Sequence, residues 1–513
     1  KNMGLIIETK ITKWDGGMVN DPRSKKAGAC RIIKHLDNYT DETRLTPYTD
    51  IDFTAVVEPT SAVNFDSYRI QQIVYTNGAF YGLGVQDGTT KPKIFTKTLI
   101  NDEWVAGTTT GDFASLVAAT TAQKMPFIVY VEGSSWNLYG LDGGGWWKYG
   151  DITGTPTWTR VVYTATFLNT CPPVVHSKDN VMYCSGGQGT TVSNRIIKNN
   201  AGSWSDPLLF GLYTKIPSIC EYGNYLAIAT NEPDGNTNVY LWDRDSSLAT
   251  LSEKINWGSG TIKFIANIGG ILVGCSVMQP TTALSINPQI VFKYWTGSEI
   301  KIFAEFTASA MVIDEFITKQ SFNNLFYFLA EMTLNSIALR GVWKIVKHND
   351  GRLTVSFDRL PRLDDTVVSG TLYGFLRTGD FFHVATKNIN DSDKYIVSKT
   401  DTTYSTTASF ETPIIATKGS DVTKKIVGIT VTHEPLPTAG AVIVKYKADA
   451  ETSWTQILNN GTDDSIRHSS INIESSGVNL KTYKEVQFQI LPSGGAVVTG
   501  LKFREEIIED DLY

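Results

Sequence analysis

The chain has few cysteines, no long apolar run and no large excess of charge of one sign. Its five cysteines (Cys30, Cys171, Cys184, Cys220 and Cys275) are odd in number, and none has the CxxC spacing of a zinc or redox site. We therefore expect buried free thiols in a reducing compartment. No stretch approaches the ~20 apolar residues of a membrane helix. The start, KNMGLIIETK, lacks the apolar core of a signal peptide. These absences predict a protein made in a cytosol without membrane insertion.

The charge balance argues against specific binding of nucleic acid. The chain has 46 Lys and Arg against 52 Asp and Glu, so a net charge of −6 gives no basic field that would attract a phosphate backbone. A hydrophobic content of 42% and a charged content of 19% are typical of a folded protein. The length of 513 residues predicts two or three folding units.

A weak repeat runs through the middle of the chain. Each unit has an apolar strand, a turn of Gly, Asn or Asp, a second strand rich in Tyr, Phe and Val, and two further strands. The clearest copy is IQQIVYT, Asn77-Gly78, FYGLGV, KIFTKTL and EWV, in which Asn-Gly between two alternating runs indicates a hairpin. The predicted turns lie near residues 78, 124, 180, 224, 270, 324 and 380. Four short strands in each period of roughly 50 residues predict an all-β fold, a β-propeller of about seven four-stranded blades.

Two assignments within this repeat are specific enough to be checked. The second copy is predicted to begin with SLVAATT before a turn near Lys124, and the seventh to close with ASFETPII. The tryptophans late in the units, such as Trp104, Trp204 and Trp343, are predicted to pack between blades rather than to bind a ligand.

The two ends of the chain do not fit the repeat. We predict an irregular N-terminal segment over 1–65, the propeller over 66–416, a small antiparallel β-sandwich or jelly roll over 417–505, and an acidic, solvated tail over 506–513. The N-terminal segment is either a strap over the propeller rim or an arm that docks on a neighbouring subunit. For the arm, the predicted assembly contacts are Trp14, Asp21, Pro22, Arg23, Leu45, Pro47 and Tyr48.

No catalytic motif is present. The sequence has no GxSxG, HExxH or P-loop pattern, and its six histidines are scattered singly. The stretch NEPDGNTN (231–238) has oxygen ligands for calcium but lacks the spaced acids of a calcium loop. We therefore predict no enzyme, no metal and no cofactor. Acids are numerous, however, so a catalytic pair in a propeller channel stays open.

The N-terminal segment resembles known viral proteins. WDGGMVNDPR, followed by IIKHLDNYTDETRLTPYTD, is similar to the start of virion structural or stabilisation proteins of tailed phages. A propeller with an added β-sandwich also resembles the tail nozzle (tubular) proteins of short-tailed phages. The resemblance implies a homo-oligomeric ring, other virion proteins as partners, a location in the virion, and a channel through which DNA passes.

Three functions follow as hypotheses. The leading one is a non-enzymatic structural component of a phage particle, in the tail (nozzle or hub) or the head–tail region. The first alternative is a carbohydrate- or receptor-binding propeller of a tail, in which an exposed pair, Trp146-Trp147, stacks on sugars. The second alternative is a propeller-fold glycoside hydrolase with converging acids.

Overall fold

The computed structural model describes most of the chain. The described residues are 5–52, 68–86, 92–99, 102–106, 127–141, 146–161, 171–187, 194–245, 251–278, 287–313, 319–322, 324–359, 361–362, 372–379, 381–387, 395–461, 468–472 and 482–508. All regular elements in these ranges are strands. Over the same ranges, no helix is long and apolar enough to cross a membrane.

The chain forms two compact units, each built from segments that are distant in sequence. The propeller unit consists of Ile51–Gly341 and Pro361–Thr400, and the sandwich unit of Lys1–Asp50, Val342–Leu360 and Asp401–Tyr513. The domain boundaries given in the sequence analysis stay a prediction.

The N-terminal segment contains seven short strands instead of irregular chain alone. They are β1 (Ile6–Ile11), β2 (Gly17–Met18), β3 (Ala29–Cys30), β4 (Ile32–Lys34), β5 (Leu36–Asp37), β6 (Thr46–Pro47) and β7 (Thr49–Asp52).

Seven consecutive sheets follow. The first five have four antiparallel strands each, in sequence order. Their strands are β8 (Tyr68–Thr76), β9 (Ala79–Gln86), β10 (Pro92–Lys97), β11 (Val105–Ala106); β12 (Phe127–Glu132), β13 (Ser135–Leu141), β14 (Trp146–Gly150), β15 (Thr157–Arg160); β16 (Val174–His176), β17 (Val181–Gly186), β18 (Arg195–Asn200), β19 (Ser203–Leu209); β20 (Lys215–Tyr222), β21 (Tyr225–Asn231), β22 (Thr237–Trp242), β23 (Glu253–Gly258); β24 (Thr261–Ile268), β25 (Ile271–Met278), β26 (Gln289–Trp295) and β27 (Ile300–Thr307).

The last two sheets are less regular. The sixth comprises β28 (Ala310–Val312), β29 (Lys319–Phe322), β30 (Leu325–Leu334), β31 (Ile337–Lys347) and β32 (Leu353–Arg359), and both β28 and β29 pair with β30. The seventh comprises β33 (Pro361–Arg362), β34 (Leu372–Thr378), β35 (Phe381–Lys387) and β36 (Tyr395–Tyr404), in the order β33-β7-β36-β35-β34. The later part of β31 and all of β32 belong to the sandwich unit.

The first strands of these sheets meet in a closed ring. Strand β8 contacts β12, β16 contacts β20, β20 contacts β24, β24 contacts β29, β30 contacts β34, and β34 returns to β8. The second and third sheets are joined by a hydrogen bond from Asn180 Nδ2 to the Val131 carbonyl at 2.9 Å. The structure thus confirms the predicted fold class, a propeller of seven sheets. The Asn77-Gly78 hairpin is also confirmed, since both residues have positive φ (48° and 74°), as a type I′ turn requires.

Two assignments within the repeat were wrong. The first strand of the second blade is Phe127–Glu132, with its turn at Gly133 (φ 62°), whereas SLVAATT and Lys124 lie outside the described residues. ASFETPII does not close the seventh blade, because β37 (Ser409–Glu411) pairs with β4 and β42. The outer strand of that blade is β7, which comes from the N-terminal segment. A repeat read locally along the chain does not reveal a strand supplied from 340 residues away.

The sandwich unit has two packed sheets, as predicted. Its C-terminal strands are β37, β38 (Lys424–His433), β39 (Ala441–Ala448), β40 (Thr455–Gly461), β41 (His468–Asn472), β42 (Val486–Ser493) and β43 (Val498–Ile507). One sheet has the order β1-β43-β38-β41 and the other β4-β37-β42-β39-β40. Burial alternates along β39 and β42, and the rings of Phe488 and Phe503 meet at 4.7 Å between the sheets.

Candidate functional site

Three carboxylates lie beside the first hairpins of consecutive blades. Glu132 ends β12, Asp179 lies in the turn between β16 and β17, and Glu221 is the second-last residue of β20. Hydrogen bonds between neighbouring blades bring these positions together: Asn180 reaches the carbonyl of Val131, and the amide of Ser177 donates to Glu221 Oε2 at 3.1 Å. We call these three residues the carboxylate edge.

Glu132 is held by donors of its own sheet. Tyr139 donates its hydroxyl to Oε1, Asn137 Nδ2 donates to Oε2 at 3.2 Å, and the Lys148 ammonium pairs with Oε2. Burial and then the bond to Glu132 raise the pKa of Tyr139, so its phenol stays a donor. The Glu132 side chain is only 9% exposed.

Asp179 has the same kind of support and more contact with solvent. The Val181 amide donates to Oδ1 at 3.1 Å, the Tyr183 hydroxyl donates to Oδ2 at 3.0 Å, and Arg244 pairs with Oδ2. Burial raises the pKa of Tyr183, and so does the charge of Asp179. Arg244 has a φ of 72° and also donates to the Asn224 carbonyl at 2.9 Å. Because the Asp179 side chain is 31% exposed, a ligand reaches it more easily than it reaches Glu132.

Glu221 differs because only neutral groups are seen to bind it. The Ser177 amide and hydroxyl donate to its two oxygens. In the described part of the chain, no Lys, Arg or His forms an ion pair with it. Nearby, His176 accepts from the Lys178 amide through Nδ1 at 3.2 Å and contacts the Tyr225 carbonyl through Nε2 at 3.2 Å.

The carboxylate edge was missed by sequence reasoning because each acid comes from a different sheet. No spacing within one motif marks them, since they lie one repeat apart. The predicted turns were a usable signal. Asp179 lies in the turn predicted near residue 180, and Glu221 lies just before the turn predicted near residue 224. Carboxylates with tyrosine, arginine and asparagine donors can bind hydroxyl-rich ligands, and pairs of them serve glycosidic hydrolysis.

The predicted assembly contacts divide into buried and exposed residues. Trp14 and Leu45 are fully buried and Pro47 is buried, with Trp14 packed edge-on against Phe410 at 5.1 Å. The partly buried Tyr48 ring lies under the Arg359 guanidinium at 3.9 Å.

The exposed members of the set are Asp21, Pro22 and Arg23. Arg23 forms a two-point ion pair with Glu485 at 2.8 and 2.9 Å. A role in assembly stays a prediction for this set.

The proposed sugar-stacking pair is not available on the surface. Trp146 is fully buried and Trp147 is 7% exposed, so the expectation of an exposed Trp146-Trp147 cluster was wrong. Trp146 packs between the second and third sheets, and its ring lies 6.3 Å from that of Trp204.

The 231–238 loop shows no arrangement for calcium. Glu232 Oε1 accepts from Asn238 Nδ2 at 2.6 Å and from the Tyr240 hydroxyl at 3.0 Å, so its lone pairs are engaged by the hairpin itself. Across the described ranges, no three His, Cys, Asp or Glu side chains come together as metal ligands.

Known proteins similar to this chain are found among solved structures. No family model matches the chain, and no curated protein matches it. Similar solved structures include an exo-beta-1,3-galactanase from Phanerochaete chrysosporium (10% identity, 87% of this chain and 98% of that chain, TM-score 0.33). Others are a xyloglucanase from Xanthomonas campestris (11%, 76% and 61%, 0.42) and BamB from Moraxella catarrhalis (10%, 78% and 98%, 0.36).

The prediction that the chain is not an enzyme is wrong as argued, because it took the absence of a catalytic motif as its evidence. Two of the three similar structures are glycoside hydrolases. The prediction rested on missing motifs, but carboxylates that converge from separate blades need no motif along the chain. At about 10% identity the likeness concerns the fold, and an activity has to be argued from the residues of this chain.

Proposed function

We propose that the protein is a glycoside hydrolase that acts at the carboxylate edge. The observation that carries this proposal is the placement of Glu132, Asp179 and Glu221 beside the first hairpins of three consecutive blades. Glycosidic hydrolysis generally uses two carboxyl groups, one that protonates the leaving oxygen and one that acts as base or nucleophile.

The surroundings of each carboxylate suggest its role. Asp179 is ion-paired with Arg244 and accessible, and we assign it as the base or nucleophile. Glu221 accepts hydrogen bonds only from Ser177 among the described residues and has no charged partner there, and we assign it as the acid. Glu132, only 9% exposed, accepts from the buried Tyr139 and Asn137, and we assign it a positioning role at the edge.

The test is hydrolysis of a panel of nitrophenyl glycosides and plant, fungal and bacterial polysaccharides. Asp179→Asn and Glu221→Gln should each lower kcat by about 100-fold or more. Asp206→Asn is the matched control, because Asp206 also pairs with an arginine (Arg195) but lies on the outer strand β19. Full activity in both edge variants, or no cleavage of any substrate, would refute the proposal.

Saccharide binding without hydrolysis is the second candidate. It is favoured by the ion pairs of Glu132 with Lys148 and of Asp179 with Arg244, which hold both carboxylates as fixed hydrogen-bond acceptors. In that case a glycan array would show binding that Asp179→Asn abolishes, while the same glycan stays uncleaved.

The location and assembly are a separate proposal. The resemblance of WDGGMVNDPR to phage proteins supports a place in a virion and a homo-oligomeric ring with other virion proteins as partners. Mass spectrometry of purified particles and the mass of the purified protein test this. A monomer that is absent from virions would exclude it.

A further inference from the structure

The sandwich unit contains a cavity that the proposed hydrolysis does not use. Its volume is about 840 Å³, and its wall combines 9–13, 23–29, Phe410 and 412–419. All of these residues belong to the sandwich unit. The cavity is therefore a feature of that unit alone.

The wall is built from loops that are fixed at several points. The Ile414 amide donates to the Pro22 carbonyl at 2.6 Å, which joins the two loops. The fully buried Lys424 donates through Nζ to the carbonyls of Thr417 at 2.7 Å and Gly419 at 3.0 Å. Between these carbonyls, Lys418 is held in the left-handed region (φ 62°), which carries strain for a side chain of its kind. These contacts hold the Lys418 loop in one conformation.

The charge of the wall is of one sign. It carries six cationic side chains and no Asp or Glu: Lys10, Lys13, Arg23, Lys25, Lys26 and Lys418. The whole chain, by contrast, has a net charge of −6. The cavity is therefore a local positive field on an acidic protein, which attracts anions.

Among the described residues, half of these cations have a carboxylate partner. Lys10, Lys13 and Arg23 pair with Glu8, Glu42 and Glu485.

Lys25, Lys26 and Lys418 form no ion pair within the part of the chain that the structure describes. Burial lowers the pKa of Lys26, and the charge of Arg352 lowers it further. An anion in the cavity would relieve this repulsion.

The size of the cavity and the residues of its wall limit which anions can bind there. A single phosphate or sulfate is far smaller than the cavity, and three unpaired lysines require several charges on one ligand. The one aromatic residue of the wall, Phe410, is fully buried, so no ring is free to stack on a nucleic-acid base. The partly exposed side chains of Ile11, Ile414 and Ile415 offer apolar surface to the C–H face of a sugar ring.

We propose that this cavity binds an acidic oligosaccharide that carries several sulfate or carboxylate groups. The charged groups lie against Lys25, Lys26 and Lys418, and the apolar face of the sugar lies against the isoleucines. This site does not depend on hydrolysis at the carboxylate edge.

The test is titration calorimetry with the full chain and four probes at physiological salt. The probes are a sulfated heparin octasaccharide, an oligogalacturonate, a neutral cello-oligosaccharide and a single-stranded DNA oligonucleotide. We expect binding of one or both acidic saccharides and none of the neutral one. The sulfated and carboxylated probes distinguish the two sources of charge. Tighter binding of DNA than of either acidic saccharide would overturn the proposal.

Matched variants locate the site. The triple variant Lys25→Gln, Lys26→Gln, Lys418→Gln should bind at least tenfold more weakly, with a shallower dependence on salt. The control triple Lys178→Gln, Lys254→Gln, Lys301→Gln removes the same charge from exposed positions on the propeller. Equal loss in the two triples would show that only net charge matters and would reject the site.

A footprint gives an independent reading. Acylation of lysine amines, followed by mass spectrometry, should show that the bound saccharide protects Lys25, Lys26 and Lys418 but not Lys254, which is exposed on β23. Protection that is uniform over all of these lysines would contradict the proposed site.

Discussion

Two titratable side chains are buried between the first and seventh sheets. Lys97 is 3% exposed and its ammonium lies 5.1 and 5.2 Å from the ring centres of Phe80 and Trp104. Burial lowers the pKa of Lys97 to about 7, and the charge of Lys399 adds to the shift. His383 is fully buried beside them, and neither ring nitrogen has a hydrogen-bond partner among the described residues. Burial keeps the pKa of His383 well below its usual value.

Replacement of this lysine should stabilise the fold at neutral pH. The unfolded chain binds the Lys97 proton up to a pH of roughly 10.4, whereas the folded chain releases it near pH 7. Between these values the parent gains stability as pH rises, because the unfolded state binds more protons. Lys97→Met should therefore raise the free energy of unfolding by about 2 kcal/mol at pH 7, and the gain should fade towards pH 10.

Urea unfolding at a series of pH values measures this effect. Lys178→Met, at an exposed position, is the control and should change little at any pH. A Lys97→Met gain that is the same at pH 7 and pH 10 would contradict the burial argument.

At the scale of single elements, the close approach of neighbouring atoms requires glycine at particular positions within the strands. Gly274 lies in the middle of β25, paired with Ile265 and Lys293. A Cβ there would lie 2.9 Å from Trp257 Cζ2 and 3.0 Å from the Phe264 carbonyl oxygen. Glycine at this position leaves room for the Trp257 ring, which packs in the core shared with Val239 and Leu272.

Gly274→Ala should lower the free energy of unfolding by about 1–3 kcal/mol, because the backbone of β24 and the Trp257 ring both have to shift. Thermal unfolding and near-ultraviolet circular dichroism of the tryptophans measure the change. Gly154→Ala is the control, since its Cβ would meet only the Asp151 carbonyl at 3.9 Å. The hypothesis fails if the two variants have equal stability.

The propeller ring depends on one interface between sheets that are distant in sequence. Trp104, 1% exposed, packs in a core that includes Tyr68, Ile70 and Phe95 of the first sheet. The same core includes Tyr373, Leu376, Ala385, Tyr395 and Val397 of the seventh sheet. Burial of these side chains against each other closes the ring, because an open ring would expose the facing surfaces of the first and seventh sheets to water.

Trp104→Ala should lower the stability of the propeller by about 3–5 kcal/mol, the usual cost of truncating a fully buried tryptophan. Differential scanning calorimetry would show the shift. Tyr213→Ala removes a side chain that is 67% exposed and should leave the transition in place. A Trp104→Ala transition equal to that of the parent would show that this core does not hold the ring.

The sequence by itself determined what is local: most strands of the repeat and of the C-terminal sandwich, and their hairpins. Alternating apolar runs and Asn-Gly or Gly-rich turns set these elements through short-range sterics, which is why the Asn77-Gly78 hairpin and the strands from β38 to β43 were predicted correctly. Only the tertiary structure decided which distant pieces meet. Strand β7 completes the seventh sheet, Glu132, Asp179 and Glu221 join across blades, and lysines from 25, 26 and 418 share one cavity. These groupings arise because burial rewards contacts between segments hundreds of residues apart, and no local pattern records them.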